Sequence, residues 1–285
     1  MSDEATRGAG PGAIAWIDGR WGRPQQLSLP LQDRGLLLAD GLFETVLVLG
    51  GRPQLLEAHL QRWRQGAELL AMAPPPEPGW LGALICGAIE RAGLTEEGWG
   101  ALRLNWSRGT CDSRGLDLPP GPAAPGGHRF WLQLTPFQPT FSPQTARVSR
   151  HERRNADSRL SRCKTFAYGQ AIQARREARE AGADDALLLN GSGELCCGSA
   201  ANLLVRRNGH WLTPPLSSGC LPGVMRSRSL ALGLADERTL SPLPEPGDRW
   251  LLLNSLGARP LRAIDGTALD HLSAAEAEAL WRQLL

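Results

Sequence analysis

The residue with the most distinctive chemistry is a lysine. Lys164 is the single lysine of the chain, and the other 30 basic residues are arginines. A codon bias toward arginine would replace lysine wherever only a positive charge is needed. Arginine cannot replace an amine that has to lose its proton and form an imine. Lys164 is therefore a candidate nucleophile, with a surface lysine retained by chance as the alternative.

Four segments occur together in an order that points to a family. They are residues 33–45 (DRGLLLADGLFET), residues 59–62 (HLQR), Lys164 with the helix predicted after it, and residues 193–204 followed by Thr213-Pro214 and residues 221–226 (LPGVMR). The combination resembles the class IV aminotransferase superfamily, the fold-type IV pyridoxal phosphate enzymes. That superfamily includes branched-chain and D-amino-acid aminotransferases and 4-amino-4-deoxychorismate lyase. The resemblance spans about residues 14–265.

The resemblance implies pyridoxal 5'-phosphate as the cofactor, with a defined set of ligands. Lys164 would carry it as a Schiff base and later move the substrate proton. Arg62 would bind the cofactor phosphate through its guanidinium group, unless it is only a solvated helix charge. Val224 and Met225 would offer backbone N–H groups at a helix start, although an ordinary Pro-Gly turn is the alternative. Ser255 fits a third phosphate ligand or a structural hydroxyl.

Cys197 departs from the family pattern. The family places a glutamate four residues after the turn glycine, where it binds the pyridine nitrogen; from Gly193, with Asn202 as anchor, that position is Cys197. A carboxylate keeps the pyridine protonated, whereas a thiol with a reference pKa of about 8.5 is a poor partner for a pyridinium. By analogy with eliminating enzymes of another fold, this favours a lyase over an aminotransferase. A one-residue bulge would alter the assignment.

Two arginines are candidates for binding substrate carboxylates. Arg114 lies in a Gly-rich segment, residues 107–115, and Arg259 lies in residues 254–260; both segments resemble stretches near the lyase active site. A structural ion pair is the alternative for each. The implied reaction converts 4-amino-4-deoxychorismate to 4-aminobenzoate and pyruvate, for folate biosynthesis. The alternatives are a branched-chain or D-amino-acid aminotransferase and a non-catalytic relative that keeps the fold.

The elements that must position these residues follow from periodicity and turn signals. Asp18-Gly19 and Asn208-Gly209 predict hairpin turns. Ser273 and Glu276 predict a capping box that opens the last helix. The further predicted helices span residues 55–72, 80–92 and 166–181, and the further predicted strands include residues 101–107, 130–134, 146–149, 186–189, 201–206 and 250–253.

A Pro- and Gly-rich stretch divides the chain. Residues 118–127 (LPPGPAAPGG) cannot hold a helix or a central strand, which predicts a linker. We expect a mixed α/β fold. The resemblance implies a small α/β sandwich domain over residues 13–120 and a larger pseudo-barrel domain over residues 128–285 that carries Lys164. It also implies a cofactor between the two domains and a homodimer.

Composition argues against several other functions. The net charge is only +2 and no basic run interleaves with aromatic residues, so nucleic-acid binding has little support. The six cysteines form no CxxC pair and no His cluster accompanies them, which predicts no metal site and a reducing compartment. No apolar run reaches the roughly 20 residues of a membrane span. The polar start lacks a signal-peptide core, so we expect a cytoplasmic protein.

Overall fold

The computed structural model describes residues 12–94, 98–110, 115–118 and 127–285. The chain divides into two compact units, Met1–Gln138 and Pro139–Leu285. Each unit is built on one β-sheet with helices packed against it. Among the described residues, no helix has both the length and the apolar character that a bilayer crossing requires.

The first unit contains a six-stranded antiparallel sheet in the order β2-β1-β6-β5-β3-β4. Its strands are β1 (Ile14–Ile17), β2 (Arg20–Gly22), β3 (Gly41–Leu49), β4 (Arg52–Pro53), β5 (Trp99–Ser107) and β6 (Arg129–Pro136). Asp18 and Gly19 both adopt positive φ, as a two-residue hairpin turn requires, and they join β1 to β2. The predicted hairpin is thus confirmed.

Strand β6 lies in the first unit, whereas the sequence prediction placed residues 128 onward in the second domain. It pairs with both β1 and β5. Its alternate residues Phe130, Leu132 and Leu134 are buried. This alternation gives β6 one apolar face, and that face packs on the core of the first sheet rather than on the barrel.

The helices of the first unit are α1 (Arg34–Leu38), α2 (Leu56–Leu69) and α3 (Pro78–Arg91). Helix α2 packs on β3, and α3 packs on β1 and β6. Four aromatic rings, from Trp16, Trp63, Trp80 and Phe130, meet between the sheet and these helices with centroids 5.4–6.2 Å apart. Each such ring pair contributes about 1 kcal/mol beyond its buried area.

The second unit contains a nine-stranded sheet, part of which closes on itself. Its strands are β7 (Gln144–Arg154), β8 (Asp185–Asn190), β9 (Leu195–Gly198), β10 (Asn202–Arg207), β11 (His210–Thr213), β12 (Ala235–Glu237), β13 (Arg249–Asn254), β14 (Gly257–Ile264) and β15 (Thr267–Ala268). Six of them pair in the closed order β10-β13-β14-β7-β8-β9, and β9 returns to β10. One residue pair, Cys197 with Asn202, makes that closing contact. The predicted pseudo-barrel is confirmed.

The helices of the second unit are α4 (Gly169–Glu180), α5 (Val224–Ala231) and α6 (Ala274–Gln283). Helix α4 packs on β7 and β8, and α6 packs on β14. The side chains of Ser273 and Glu276 each cap the other's backbone, which confirms the predicted capping box. Two apolar clusters fill the unit; one includes Leu187, Leu203, Trp250, Leu252 and Leu261, and the other lies beneath α4 and includes Ala174, Leu188, Cys196, Cys197 and Cys220.

Candidate active site

Lys164 lies just before α4, between that helix and a short 3-10 turn at Arg159–Arg162. Its side chain is half-buried, and Nζ donates a hydrogen bond to the Tyr168 hydroxyl at 3.0 Å. Tyr168 is the only tyrosine of the chain. The sequence prediction assigned it no role. A signal was present in the sequence, since the only lysine and the only tyrosine are four residues apart.

Cys197 lies next to a β-bulge. Leu188 of β8 pairs with Cys197, and Leu189 pairs with Leu195, so Cys196 is the additional residue of β9. Both thiols pack in the cluster beneath α4 together with Cys220. The Cys196 thiol contacts the Ser218 carbonyl. Burial raises the pKa of the Cys197 thiol to about 12, so Cys197 is uncharged at neutral pH.

Glu194, the carboxylate closest in sequence to Cys197, is engaged elsewhere. It accepts hydrogen bonds from Asn190 Nδ2 at 2.8 Å and from the Ser218 hydroxyl at 2.9 Å. The bulge therefore does not bring Glu194 to the position counted for Cys197. The family position was counted along the sequence from Gly193 with Asn202 as the anchor. In the structure Cys197 pairs directly opposite Asn202, which is consistent with that count.

Asn202 joins the barrel closure to the turn that precedes α5. Its Nδ2 donates to the Leu221 carbonyl at 2.9 Å. A Cβ at Gly223 would lie 1.8 Å from Asn202 Oδ1, so the turn needs glycine there. Gly223 is the N-cap of α5 and has no side chain with which to cap the helix. The backbone N–H groups of the buried residues Val224 and Met225 belong to this first turn, which has no side-chain cap and suits an anion such as the predicted phosphate.

Ser255 lies in the turn between β13 and β14. The preceding residue, Asn254, donates from Nδ2 to the Ala200 carbonyl at 3.2 Å. Ala200 lies in the connection between β9 and β10. The turn that carries Ser255 is thus fastened to the same connection that ends at Asn202.

Arg259 is a half-buried guanidinium on β14 that forms no ion pair with any described residue. Burial lowers its pKa, and the Asp185 carboxylate opposes this shift. Asp185 itself is engaged by Arg175 Nη2 at 2.9 Å and by the Ser199 hydroxyl. Arg259 therefore retains capacity to bind an anion. The other predicted carboxylate ligand, Arg114, lies outside the described residues.

Arg62 belongs to a buried cluster in the first unit. Its Nε donates to Glu44 Oε1 at 2.8 Å and its Nη2 donates to Glu44 Oε2. His59 Nδ1 lies 2.7 Å from Glu44 Oε2. Burial alone would raise the pKa of Glu44, but the Arg62 charge and the His59 hydrogen bond outweigh it and hold that pKa at about 2. Glu44 thus stays ionised and fixes the orientation of Arg62.

Comparisons with known proteins identify the family of the chain. The family described as "Amino-transferase class IV" matches residues 41–264. A Mycobacterium tuberculosis protein named "Bifunctional aminodeoxychorismate lyase / D-amino acid transaminase" is 26% identical over 294 residues, covering 92% of this chain and 95% of that protein.

Solved structures show the same fold. A "hypothetical aminotransferase from Mycobacterium tuberculosis, PLP-bound form" has a TM-score of 0.79 at 24% identity, covering 95% of this chain and 98% of that one. A branched-chain aminotransferase from Thermoproteus uzoniensis has a TM-score of 0.82 at 22% identity, covering 95% and 94%.

The family match confirms the membership that the four sequence segments predicted, and it confirms the predicted cofactor at the level of the family. The chain belongs to the amino-transferase class IV family, whose members depend on pyridoxal phosphate.

Proposed function

We propose that this protein is a lyase that converts 4-amino-4-deoxychorismate to 4-aminobenzoate and pyruvate, a step of folate biosynthesis. The observation that carries the proposal is the buried, uncharged thiol of Cys197 at the barrel closure, at the position for which the family resemblance implies a carboxylate. The relative that has both lyase and transaminase in its name supports the same reaction class.

The residues proposed to hold pyridoxal phosphate have the required chemistry. The Lys164 amine would attach it, the N–H groups of Val224 and Met225 would bind its phosphate, and Cys197 would face the ring nitrogen. Arg62 and Ser255 are the further proposed phosphate ligands. When bound, the cofactor supplies covalent attachment of an amino group and withdraws electrons from the attached carbon skeleton.

In this proposal Lys164 also acts as the base. Its amine removes the ring proton of the substrate, the C–O bond to the enolpyruvyl group breaks, and that group leaves and is protonated as pyruvate. The substrate ring becomes aromatic in this step, which supplies driving force. The Tyr168 hydroxyl, hydrogen-bonded to Nζ, keeps the amine oriented toward that proton.

The two carboxylates of the substrate need cationic partners. Arg259 is proposed to bind one of them because it has no ion pair among the residues that the structure describes. Arg114 is the second proposed partner. Arg259→Gln should raise KM by roughly 10- to 100-fold. Arg262→Gln, on the same strand but with an exposed side chain, is the matched control and should leave KM unchanged.

The deciding experiment supplies aminodeoxychorismate to the purified protein and measures 4-aminobenzoate and pyruvate. Equal release of both supports the proposal. Borohydride treatment followed by peptide mass analysis should find the cofactor fixed to Lys164. Protein that fixes the cofactor but releases no 4-aminobenzoate would refute the lyase assignment and leave the cofactor assignment standing.

An aminotransferase is the second candidate function. The transaminase activity in the name of the Mycobacterium tuberculosis relative favours it, and Cys197 argues against it. Exchange of amino groups between alanine or glutamate and 2-oxo acids would identify this activity, with D- and branched-chain amino acids as the next donors.

A non-catalytic relative is the third candidate; such a protein would take up no cofactor and show no near-visible absorbance.

The proposed assembly is a homodimer. Leu36 and Leu37 on α1 are 54% and 63% exposed, and Leu116 is 80% exposed. Arg34 at the start of α1 donates to the Gly115 carbonyl, so these leucines belong to neighbouring segments. An apolar surface of this kind suits a second copy of the chain. Light scattering should give twice the monomer mass, and Leu37→Ser should shift it toward the monomer.

The proposed location is the cytoplasm. No disulfide joins the cysteines that the structure describes, which are Cys86, Cys163, Cys196, Cys197 and Cys220. Reduced cysteines in this number suit a reducing compartment.

A further inference from the structure

The surroundings of Cys197 contain several charged and titratable groups, and each can be accounted for. Cys196 and Cys220 are buried thiols whose pKa values are raised by burial. The carboxylates of Asp185 and Glu194 are held by Arg175, Ser199, Asn190 and Ser218. Among the described residues, the Asp185 carboxylate acts on the Cys197 thiol through its charge, with no hydrogen bond between them.

Arg154 supplies the remaining charge. Its Nε donates to the Gly219 carbonyl at 3.1 Å, and its Nη2 donates to the Ser161 carbonyl at 3.2 Å. Gly219 directly precedes Cys220 of the thiol cluster, and Ser161 precedes Lys164 by three residues. The guanidinium group therefore lies between the lysine segment and the thiols.

The charge of Arg154 is compensated only by backbone dipoles within the described part of the chain, because the ion pairs found there do not include it. It acts on all three thiols, since it opposes the rise in the pKa of Cys196, Cys197 and Cys220. The permanently charged Arg154 and the uncharged Cys197 thiol would thus both lie near the nitrogen of a bound pyridine ring.

We infer that the ring nitrogen of pyridoxal phosphate stays unprotonated in this protein, because Cys197 offers it an uncharged partner and Arg154 a fixed positive charge. The inference rests on the proposed position of the cofactor ring against Cys197. A second cation in this buried place would face repulsion from Arg154. The Asp185 carboxylate, whose charge also reaches Cys197, offsets little of it because Arg175 and Ser199 already engage that carboxylate. The Cys197 S–H can instead donate a weak hydrogen bond to the neutral nitrogen.

A neutral ring withdraws electrons less strongly than a pyridinium. Reactions that must stabilise a developing negative charge on the substrate for long are then slow. A reaction driven by formation of an aromatic product depends less on that withdrawal. Arg154 and Cys197 together therefore determine which reaction class this site supports, and they favour the proposed elimination.

The test loads the wild-type protein with pyridoxal phosphate that carries nitrogen-15 in the ring and records the NMR shift of that atom. We expect the unprotonated signal from about pH 6 to about pH 9. A protonated signal at neutral pH overturns the inference while the proposed lyase stands, because 4-aminobenzoate release is measured separately on the same sample. Protein that takes up no cofactor overturns both.

Two pairs of variants identify the groups responsible. Cys197→Glu should give the protonated signal at neutral pH and a gain in transamination, whereas Cys197→Ser should keep the wild-type signal. Arg154→Gln should raise the pKa of the ring nitrogen by about one unit or more, whereas Arg154→Lys, which keeps the charge, should not. An unchanged signal in Cys197→Glu overturns the role given to Cys197, and an unchanged pKa of the ring nitrogen in Arg154→Gln overturns the role given to Arg154. If Cys197→Glu does not fold, the Arg154 pair still tests the inference.

Discussion

Arg62 in the first unit and Arg154 in the second are both half-buried guanidinium groups, yet their surroundings differ in charge. Arg62 forms a two-point ion pair with Glu44, a carboxylate that is 1% exposed. Arg154 bonds two backbone carbonyls and faces thiols. The first unit repeats its pattern at Asp40, which pairs with Arg34 at 2.8 Å and Arg108 at 2.9 Å.

The difference distinguishes a charge that is neutralised and held in place from a charge that acts on its neighbours. A buried charge with its partner contributes to a fixed structure, and removal of the partner is costly because the remaining charge cannot regain water. A buried charge without an opposite charge instead changes the electrostatic potential of its neighbours. We therefore expect substitutions in the Glu44 cluster to lower the free energy of unfolding, and substitutions around Lys164 to lower activity with little change in stability.

The largest effect is expected at Lys164. Lys164→Arg keeps the positive charge but loses the amine that can attach the cofactor and remove a proton, so the rate should fall by on the order of 10³-fold or more. Product release and borohydride fixation measure this. The midpoint of urea unfolding should stay that of the wild-type apoprotein. A variant that keeps most of its activity would exclude Lys164 from the chemistry.

The next effect is one of stability. Glu44→Gln leaves the Arg62 charge without its carboxylate and should lower the free energy of unfolding by about 3 kcal/mol. Glu57→Gln is the matched control, because Glu57 is an exposed glutamate whose contact with Arg64 is 3.5 Å long; its effect should stay below about 1 kcal/mol. Urea unfolding measures both. Equal effects in the two variants would contradict the comparison.

The Glu44 carboxylate should also make the free energy of unfolding depend on pH, with a decrease in acid. The pKa of Glu44 is about 2 in the folded chain and 4.5 is its ordinary value, so its stabilisation is complete above 4.5 and is lost as the pH falls from 4.5 toward 2. The difference in unfolding free energy between wild type and Glu44→Gln should therefore be constant above about pH 6 and shrink toward pH 3. A difference that grows in acid would show that Glu44 is not ionised in the folded state.

The smallest effect is expected at Tyr168. Tyr168→Phe removes the hydroxyl that orients the Lys164 amine, so kcat should fall by about tenfold while KM and the unfolding midpoint stay unchanged. Steady-state kinetics separate kcat from KM. A fall in stability without a fall in kcat would assign Tyr168 to packing alone.

The sequence predicted those parts of the fold that depend on local patterns. Asp18-Gly19 adopts the positive φ of a hairpin turn, and Ser273 with Glu276 forms the capping box. Strand β14 was not predicted, and it contains Pro260, a residue that is uncommon within a central strand. The structure accommodates this proline because it lies just before Leu261, the first residue of β14 that pairs with β7. The register in which β14 pairs with the distant strand β7 cannot be predicted from the local sequence pattern of β14.

Within the candidate site, it was easier to predict which residues take part than to predict which residues they contact. Lys164 was predicted from its rarity, and Cys197 from the position at which the family resemblance implies a glutamate. Arg154 did not, because one arginine among 30 carries no signal and its role depends on three segments that meet only in the fold. The pairing of Arg62 with Glu44 likewise joins positions 18 residues apart, on a helix and a strand.

The barrel closes through one residue pair, and Asn202 of that pair also holds the turn in front of α5. Closure of the sheet and the proposed binding of an anion at the start of α5 would therefore depend on each other. Any opening of this seam would release the helix start from its tether, and an anion bound there would in turn hold the seam shut. Amides of β9 and β10 should then exchange with solvent more slowly when phosphate is bound, which gives a ligand-dependent signature that does not require turnover.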